Sequence, residues 1–179
     1  MHPVRPFGAG MLRFATRPGC WPLGIKMNEV VFQVEKHKAD NGHQYSTVNI
    51  LVDNQPLAEI MKEFEMPMAK KEGSPSIAGG YDAIEVPSSP EKYYLGEEQA
   101  YWGEDENKTA LLDCECGCSG CWPLLCKISI SGNKVIWSDF EQPHRGVDSA
   151  ASYWDYSAFE GFVFDKAQYL KALEDVKNA

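Results

Sequence analysis

The sequence predicts an α+β fold: an antiparallel, hairpin-rich sheet with a short early helix and a longer C-terminal helix. Three observations carry this. Two pairs of alternating apolar runs bracket turn signals at Asp40-Asn41-Gly42 and Gly132-Asn133. Apolar residues recur at helical spacing after Pro56. A capping signature at Asp165 then opens a final amphipathic segment.

The elements follow in order. Val30, Phe32 and Val34 alternate with Val31, Gln33 and Glu35, as in a half-buried strand. A second strand over 45–52 places Val48, Ile50 and Val52 on one face. Leu57, Ile60, Met61 and Phe64 then mark the early helix. From Met66 to Pro90 the text is loop-like, with Glu72-Gly73-Ser74-Pro75, Gly79-Gly80 and Pro87-Ser88-Ser89-Pro90. Its Ile77, Tyr81, Ile84 and Val86 predict packing on the domain. A strand over 109–113 runs into a cysteine-rich turn, and strands over 127–131 and 134–140 flank Gly132-Asn133. Cys126 shares a strand face with Ile128 and Ile130, so it is expected in the core. Tyr153, Trp154, Tyr156, Phe159, Phe162 and Phe164 form an aromatic stretch, expected to pack in the core rather than to platform a ligand. In the last helix Asp165 and Gln168 form a capping box, Phe164 and Tyr169 a staple, and Leu170, Leu173 and Val176 one apolar side.

A chain of 179 residues fits one domain, and its 44% hydrophobic and 24% charged content is ordinary for a globular protein. The formal net charge of -9 disfavours nucleic acid and suits a basic protein partner. No apolar run reaches the ~18 residues of a membrane span, so no membrane association is expected.

The charge is uneven. Residues 1–26 carry Arg5, Arg13, Arg17 and Lys26 and no acid, whereas 27–179 sets 13 basic residues against 26 acidic ones, a formal charge of -13. A signal peptide is opposed by Arg13 and Arg17, which interrupt any apolar core; a transit peptide fits the composition. The favoured expectation is a poorly packed extension from a mis-called start, with Met27 opening a single domain over 27–179. Gly19-Cys20-Trp21-Pro22-Leu23 repeats Gly120-Cys121-Trp122-Pro123-Leu124, but one pentapeptide is no internal duplication.

Five of the six cysteines lie between positions 114 and 126. Stapled domains spread their cysteines to close distant loops. A local cluster without a secretory signal points instead to thiol or metal chemistry in a reducing compartment, so a cytoplasmic location is expected.

Cys114-Glu115-Cys116-Gly117-Cys118-Ser119-Gly120-Cys121, with Cys126 beyond, has the spacing C-x-C-x-C-x2-C-x4-C. Thiolates are soft ligands that suit zinc or iron–sulfur clusters, and the glycines let the backbone curl so that sulfurs converge. A second knuckle is missing, so a fourth ligand has to be Cys118 or a residue from elsewhere, for which His144 is the candidate. The expected zinc ligands are Cys114, Cys116, Cys121 and His144. A tight turn of reduced thiols and a redox or nucleophilic site remain the alternatives. The C-x-x-C pair at Cys118 and Cys121 cannot continue into a thioredoxin-type helix, because Trp122-Pro123 follows.

Arg145 is the only arginine after Met27. Its planar fork suits bidentate contact with an anionic ligand, and an ion pair with a nearby acid is the plainer alternative. No nucleophile elbow, dinucleotide fingerprint or phosphate-binding loop is present. His37 and His43 flank a turn and are expected to be exposed.

Cys114-x-Cys116-Gly117-x-x-Gly120-Cys121-Trp122-Pro123-Leu124, then Trp137-Ser138-Asp139-Phe140-x-Gln142-Pro143-His144-Arg145, then Trp154-Asp155-Tyr156 and Phe164-Asp165-x-x-Gln168-Tyr169, resembles a family of bacterial hypothetical proteins. The resemblance runs from about Met27 to the C-terminus. It carries no activity and implies no catalytic residues. It implies that Cys118 is incidental, since the recurring pattern needs only positions 114, 116 and 121.

Two function classes follow. One is a binding or interaction domain stabilised by a metal at the cysteine turn. The other is a thiol- or metal-dependent enzyme using that turn with His144. A concave pocket shared by the cysteines and His144-Arg145 is the feature that separates them.

Overall fold

The computed structural model describes residues 27–98 and 107–178. The expectation for 1–26 lies outside the described residues. The fold class is α+β, and the described residues form two antiparallel sheets rather than one.

In the first sheet β1 (Val30–Lys38) pairs with β2 (Gln44–Val52) from Val30↔Val52 to Lys38↔Gln44. Short strands β3 (Gln55–Pro56) and β5 (Ile84–Glu85) also pair with β2. The alternation read in the sequence buries Val30, Phe32, Val48, Ile50 and Val52. The second sheet has the order β4 (Tyr81–Asp82), β6 (Thr109–Cys114), β7 (Leu124–Ser131), β8 (Lys134–Glu141) and β9 (Phe162–Asp165). The sheets meet where Asn28 bridges to Phe164.

The early helix α1 (Leu57–Lys71) is longer than expected, at 15 residues, and contains Pro67. Proline removes one helical hydrogen bond and usually ends the element. Here Leu57, Met61, Glu65 and Ala69 form a fully buried stripe at i, i+4, i+8 and i+12. Burial on both sides of Pro67 holds the helix through it. A short α2 (Pro90–Tyr94) follows, and α3 (Lys166–Lys177) closes the chain at 12 residues.

Asp165 caps α3 as expected, its Oδ1 accepting from Ala167 N and Gln168 N. Gln168 does not close the box. Its amide reaches β1 instead, donating to Val30 O at 2.7 Å and accepting from Val30 N at 3.4 Å. That ties α3 to the first sheet. The staple forms, with the Phe164 and Tyr169 rings 5.5 Å apart. Trp137 is fully buried and donates to Tyr169 OH at 3.1 Å, which in turn donates to Tyr94 O at 2.7 Å. Cys126 is in the core, as its strand face predicts.

One irregularity positions the site. The β7–β8 register slips between Leu125 and Lys127, and opposite the slip Asp139 adopts φ 50°. This bulge re-phases β8. Val135 and Trp137 face inward before it, and Phe140 and Gln142 face inward after it. The chain leaves the sheet at Pro143–Arg145 aimed at the cysteine turn.

Candidate metal centre

The cysteine turn joins β6 to β7. Asp113 organises it: its Oδ1 accepts from Cys114 N and from Gly120 N, both at 2.9 Å, so one carboxylate grips the start and the far side of the turn. Gly117 and Gly120 both take φ 76°, a conformation costly for any residue with a Cβ. Gly117 N donates to Cys114 O and Cys121 N to Cys118 O. The outer edge is held by Glu115 N donating to Gly80 O and by Tyr81 pairing with Cys114.

This curl brings the ligand atoms of Cys114, Cys116 and Cys121 within 4.8 Å of one another. The Cys116 and Cys121 sulfurs are 3.2 Å apart, and Cys116 N lies 3.5 Å from Cys114 Sγ. Cys114 is half-buried; Cys116, Cys118 and Cys121 are exposed.

The thiols share protons. Hydrogen bonds from Cys114, then Cys121, then the Cys118 backbone N–H lower the Cys116 pKa to about 7. Hydrogen bonding to Cys114 and Cys116 pushes Cys121 up to about 12, and bonding to Cys116 also raises Cys118. A cluster that stabilises one thiolate through its neighbours' protons suits a soft divalent cation, which replaces those protons on binding.

His144, expected as the fourth ligand, lies beside the cluster without joining the three sulfurs. Its Nε2 is 3.1 Å from Gly120 O, one residue before Cys121. Gln142 fixes its backbone by accepting from His144 N at 2.6 Å. Arg145 forms an ion pair with Glu72 at 3.1 Å, both side chains largely buried. Its guanidinium carbon lies 4.8 Å from the Trp122 ring centre and 5.5 Å from that of Trp154. Trp154 Nε1 donates to the other Glu72 oxygen at 2.8 Å. The plainer alternative for Arg145 is thus present, reinforced by two aromatic faces.

An open groove of about 1190 Å³ lies beyond, lined among others by Gly120, Gln142, His144, Arg145, Asp148 and Tyr156. None of the described cysteines lines it. The thiols and the groove thus share a wall, Gly120, without sharing a cavity.

The sequence did not single out Glu72, Glu65 or Asp113. Glu65 is fully buried and accepts from Tyr81 OH, Tyr156 OH and Gly79 N. Asp113, set just before the first cysteine of a glycine-containing turn, carried a readable signal, because aspartate commonly bonds backbone N–H groups ahead of it. Glu65 lies inside α1, and Glu72 sits just past its last residue, in the stretch whose sequence is loop-like.

Comparison with protein-family models, curated proteins and solved structures gives no match. No helix among the described residues is long and apolar enough to cross a membrane.

Proposed function

We propose that this chain is a binding domain whose cysteine turn holds a zinc ion as a structural staple. The observation that carries the proposal is the convergence of the three sulfurs of Cys114, Cys116 and Cys121 within 4.8 Å. Zinc accepts thiolates in tetrahedral sites and stabilises the fold that presents them. Exposed free thiols fit a reducing compartment, so the proposed location is cytoplasmic.

The staple has something to hold. Gly120 accepts from His144, and Trp122 packs on Arg145, so fixing the turn fixes the wall of the groove. Asp139, Asp148 and Asp155 line that groove with no basic partner among the described residues, while Lys108 pairs with Glu141 and Arg145 with Glu72. This excess of negative charge suits a basic protein segment.

The alternative, a thiol- or metal-dependent enzyme using the turn with His144, is favoured by one observation: Cys116 is exposed and its pKa is lowered to about 7. The separation of sulfurs from groove weighs against it.

The test is elemental analysis of the chain purified under reducing conditions. One zinc per chain is expected, lost in C114S, C116S and C121S. A metal-free chain that also fails to take up added zinc overturns the proposal.

A further inference from the structure

We propose that Cys116 and Cys121 form a reversible disulfide on exposure to a peroxide, making the turn an oxidative modification site that competes with metal binding. The inference shares its sulfurs with the zinc reading but does not require a metal.

Geometry selects this pair. Their sulfurs are 3.2 Å apart, and a disulfide of about 2.05 Å needs only about 1 Å of further approach. Both side chains are exposed, so an oxidant reaches them from solvent. The loop between them contains Gly117 and Gly120, both with positive φ, and nothing lies within 4 Å of where a Cβ on Gly117 would stand. The loop therefore has room to close.

The other cysteines are worse placed. Cys126 is fully buried in β7 and out of an oxidant's reach. Cys114 is half-buried and held at the end of β6 by its pairing with Tyr81. Cys118 is exposed but falls outside the group of three.

The chemistry balances. One thiolate of the pair attacks a peroxide oxygen, the O–O bond breaks, and the products are a sulfenic acid and hydroxide, which takes up a proton to become water. The second thiol attacks the sulfenic sulfur, the S–S bond forms, and the S–OH oxygen leaves as water with that thiol's proton. In sum two thiols and one hydrogen peroxide give one disulfide and two waters. The sulfurs lose two electrons and the peroxide oxygens gain them. A dithiol reductant reverses the change by exchange. Oxidation removes two of the three thiolates that a cation needs, so metal and disulfide exclude each other.

The test uses the full chain stripped of metal with a chelator, treated with one equivalent of hydrogen peroxide, then alkylated and weighed. Wild type, C114S and C118S are expected to lose two hydrogens and to leave two fewer thiols for alkylation, and dithiothreitol restores both. C116S and C121S are expected to retain every thiol. Cleavage after Glu115 separates Cys114 from the pair and locates the bridge. Zinc added beforehand is expected to slow the loss severalfold. Two-hydrogen loss that persists in C116S or C121S overturns the proposal. So does full alkylation of wild type at a dose that oxidises free dithiothreitol. A chain that forms the disulfide but binds no zinc refutes the metal reading alone. One that binds zinc but keeps its thiols refutes this proposal alone.

Discussion

His144 Nε2 and Gly120 O lie 3.1 Å apart across 24 residues of sequence. A carbonyl only accepts, so Nε2 carries the proton and His144 donates. The bond draws the segment after β8 onto the back of the cysteine turn, with Trp122 stacked 6.4 Å from the imidazole.

That contact makes His144 a brace behind the sulfurs, which fixes the size of its effect. Residues that orient a metal site from behind typically change affinity by about 10–100-fold. His144→Ala is therefore expected to weaken zinc binding within that range while preserving one zinc per chain at saturation. Competition against a chromophoric chelator measures it. Loss as complete as in C116S makes His144 the fourth ligand.

Arg145 and Glu72 give the second prediction. The guanidinium bonds Glu72 Oε1 and His144 O and sits near the faces of Trp122 and Trp154. Breaking a largely buried pair from one side costs about 3–5 kcal/mol, because the remaining charge is stranded. Glu72→Gln and Arg145→Met are each expected to lower urea-unfolding stability by about that much, and the double variant by less than their sum. Arg145→Lys does not rescue, since an ammonium cannot bridge both acceptors with a planar fork. Strict additivity in the cycle refutes the coupling.

The hairpins, the C-terminal cap and the cysteine turn were legible because local chemistry sets them. Gly132-Asn133 needs only its own conformational freedom, and Asp165 needs only the next turn of chain. What stayed hidden depends on distant partners. Asp139 looks like any strand aspartate, and its left-handed backbone appears only when the pairing with β7 slips. Pro67 reads as a helix stop because the buried stripe through Leu57, Met61, Glu65 and Ala69 is visible only against the sheets. Gln168 reads as half of a capping box until β1 supplies better partners. Convergence of Cys114, Cys116 and Cys121 was readable from glycine placement, whereas the position of His144 depended on a bulge in another strand.

Glu65 makes stability depend on pH. Burial raises its pKa above the ordinary 4.5, and hydrogen bonds from Tyr156, Tyr81 and Gly79 oppose that rise only in part. A carboxyl with a raised folded pKa keeps its proton longer in the folded chain than in the unfolded one. Its contribution is full below about 4.5 and is lost as pH rises through the folded value. Glu65→Gln has no such proton, and its amide cannot accept from all three donors, at a cost of about 1–3 kcal/mol. The variant's deficit against wild type is expected to narrow between pH 4.5 and 8. Urea melts across that range decide it, and a deficit that widens with pH counts against the sign.

The groove supplies the last prediction. Its carboxylates Asp139, Asp148 and Asp155, which have no basic partner among the described residues, are all exposed. Exposed charges act through a screened field, so binding of a basic peptide should weaken steeply as salt rises past the ~0.1 M at which the screening length falls to about 10 Å. A fluorescent lysine-rich peptide is expected to bind in an anisotropy titration, and an acidic peptide of equal length is not. Asp148→Asn with Asp155→Asn should weaken binding severalfold, whereas Asp40→Asn, on the β1–β2 turn, should leave it unchanged. Equal loss from Asp40→Asn would mean that the peptide senses only the net charge of -9. The cysteine turn enters as well, because Gly120 is part of the groove wall and His144 hangs from it. Removing the metal with a chelator should therefore weaken peptide binding without altering any charge in the groove. Binding indifferent to chelator but sensitive to the aspartates would separate the groove's function from the staple.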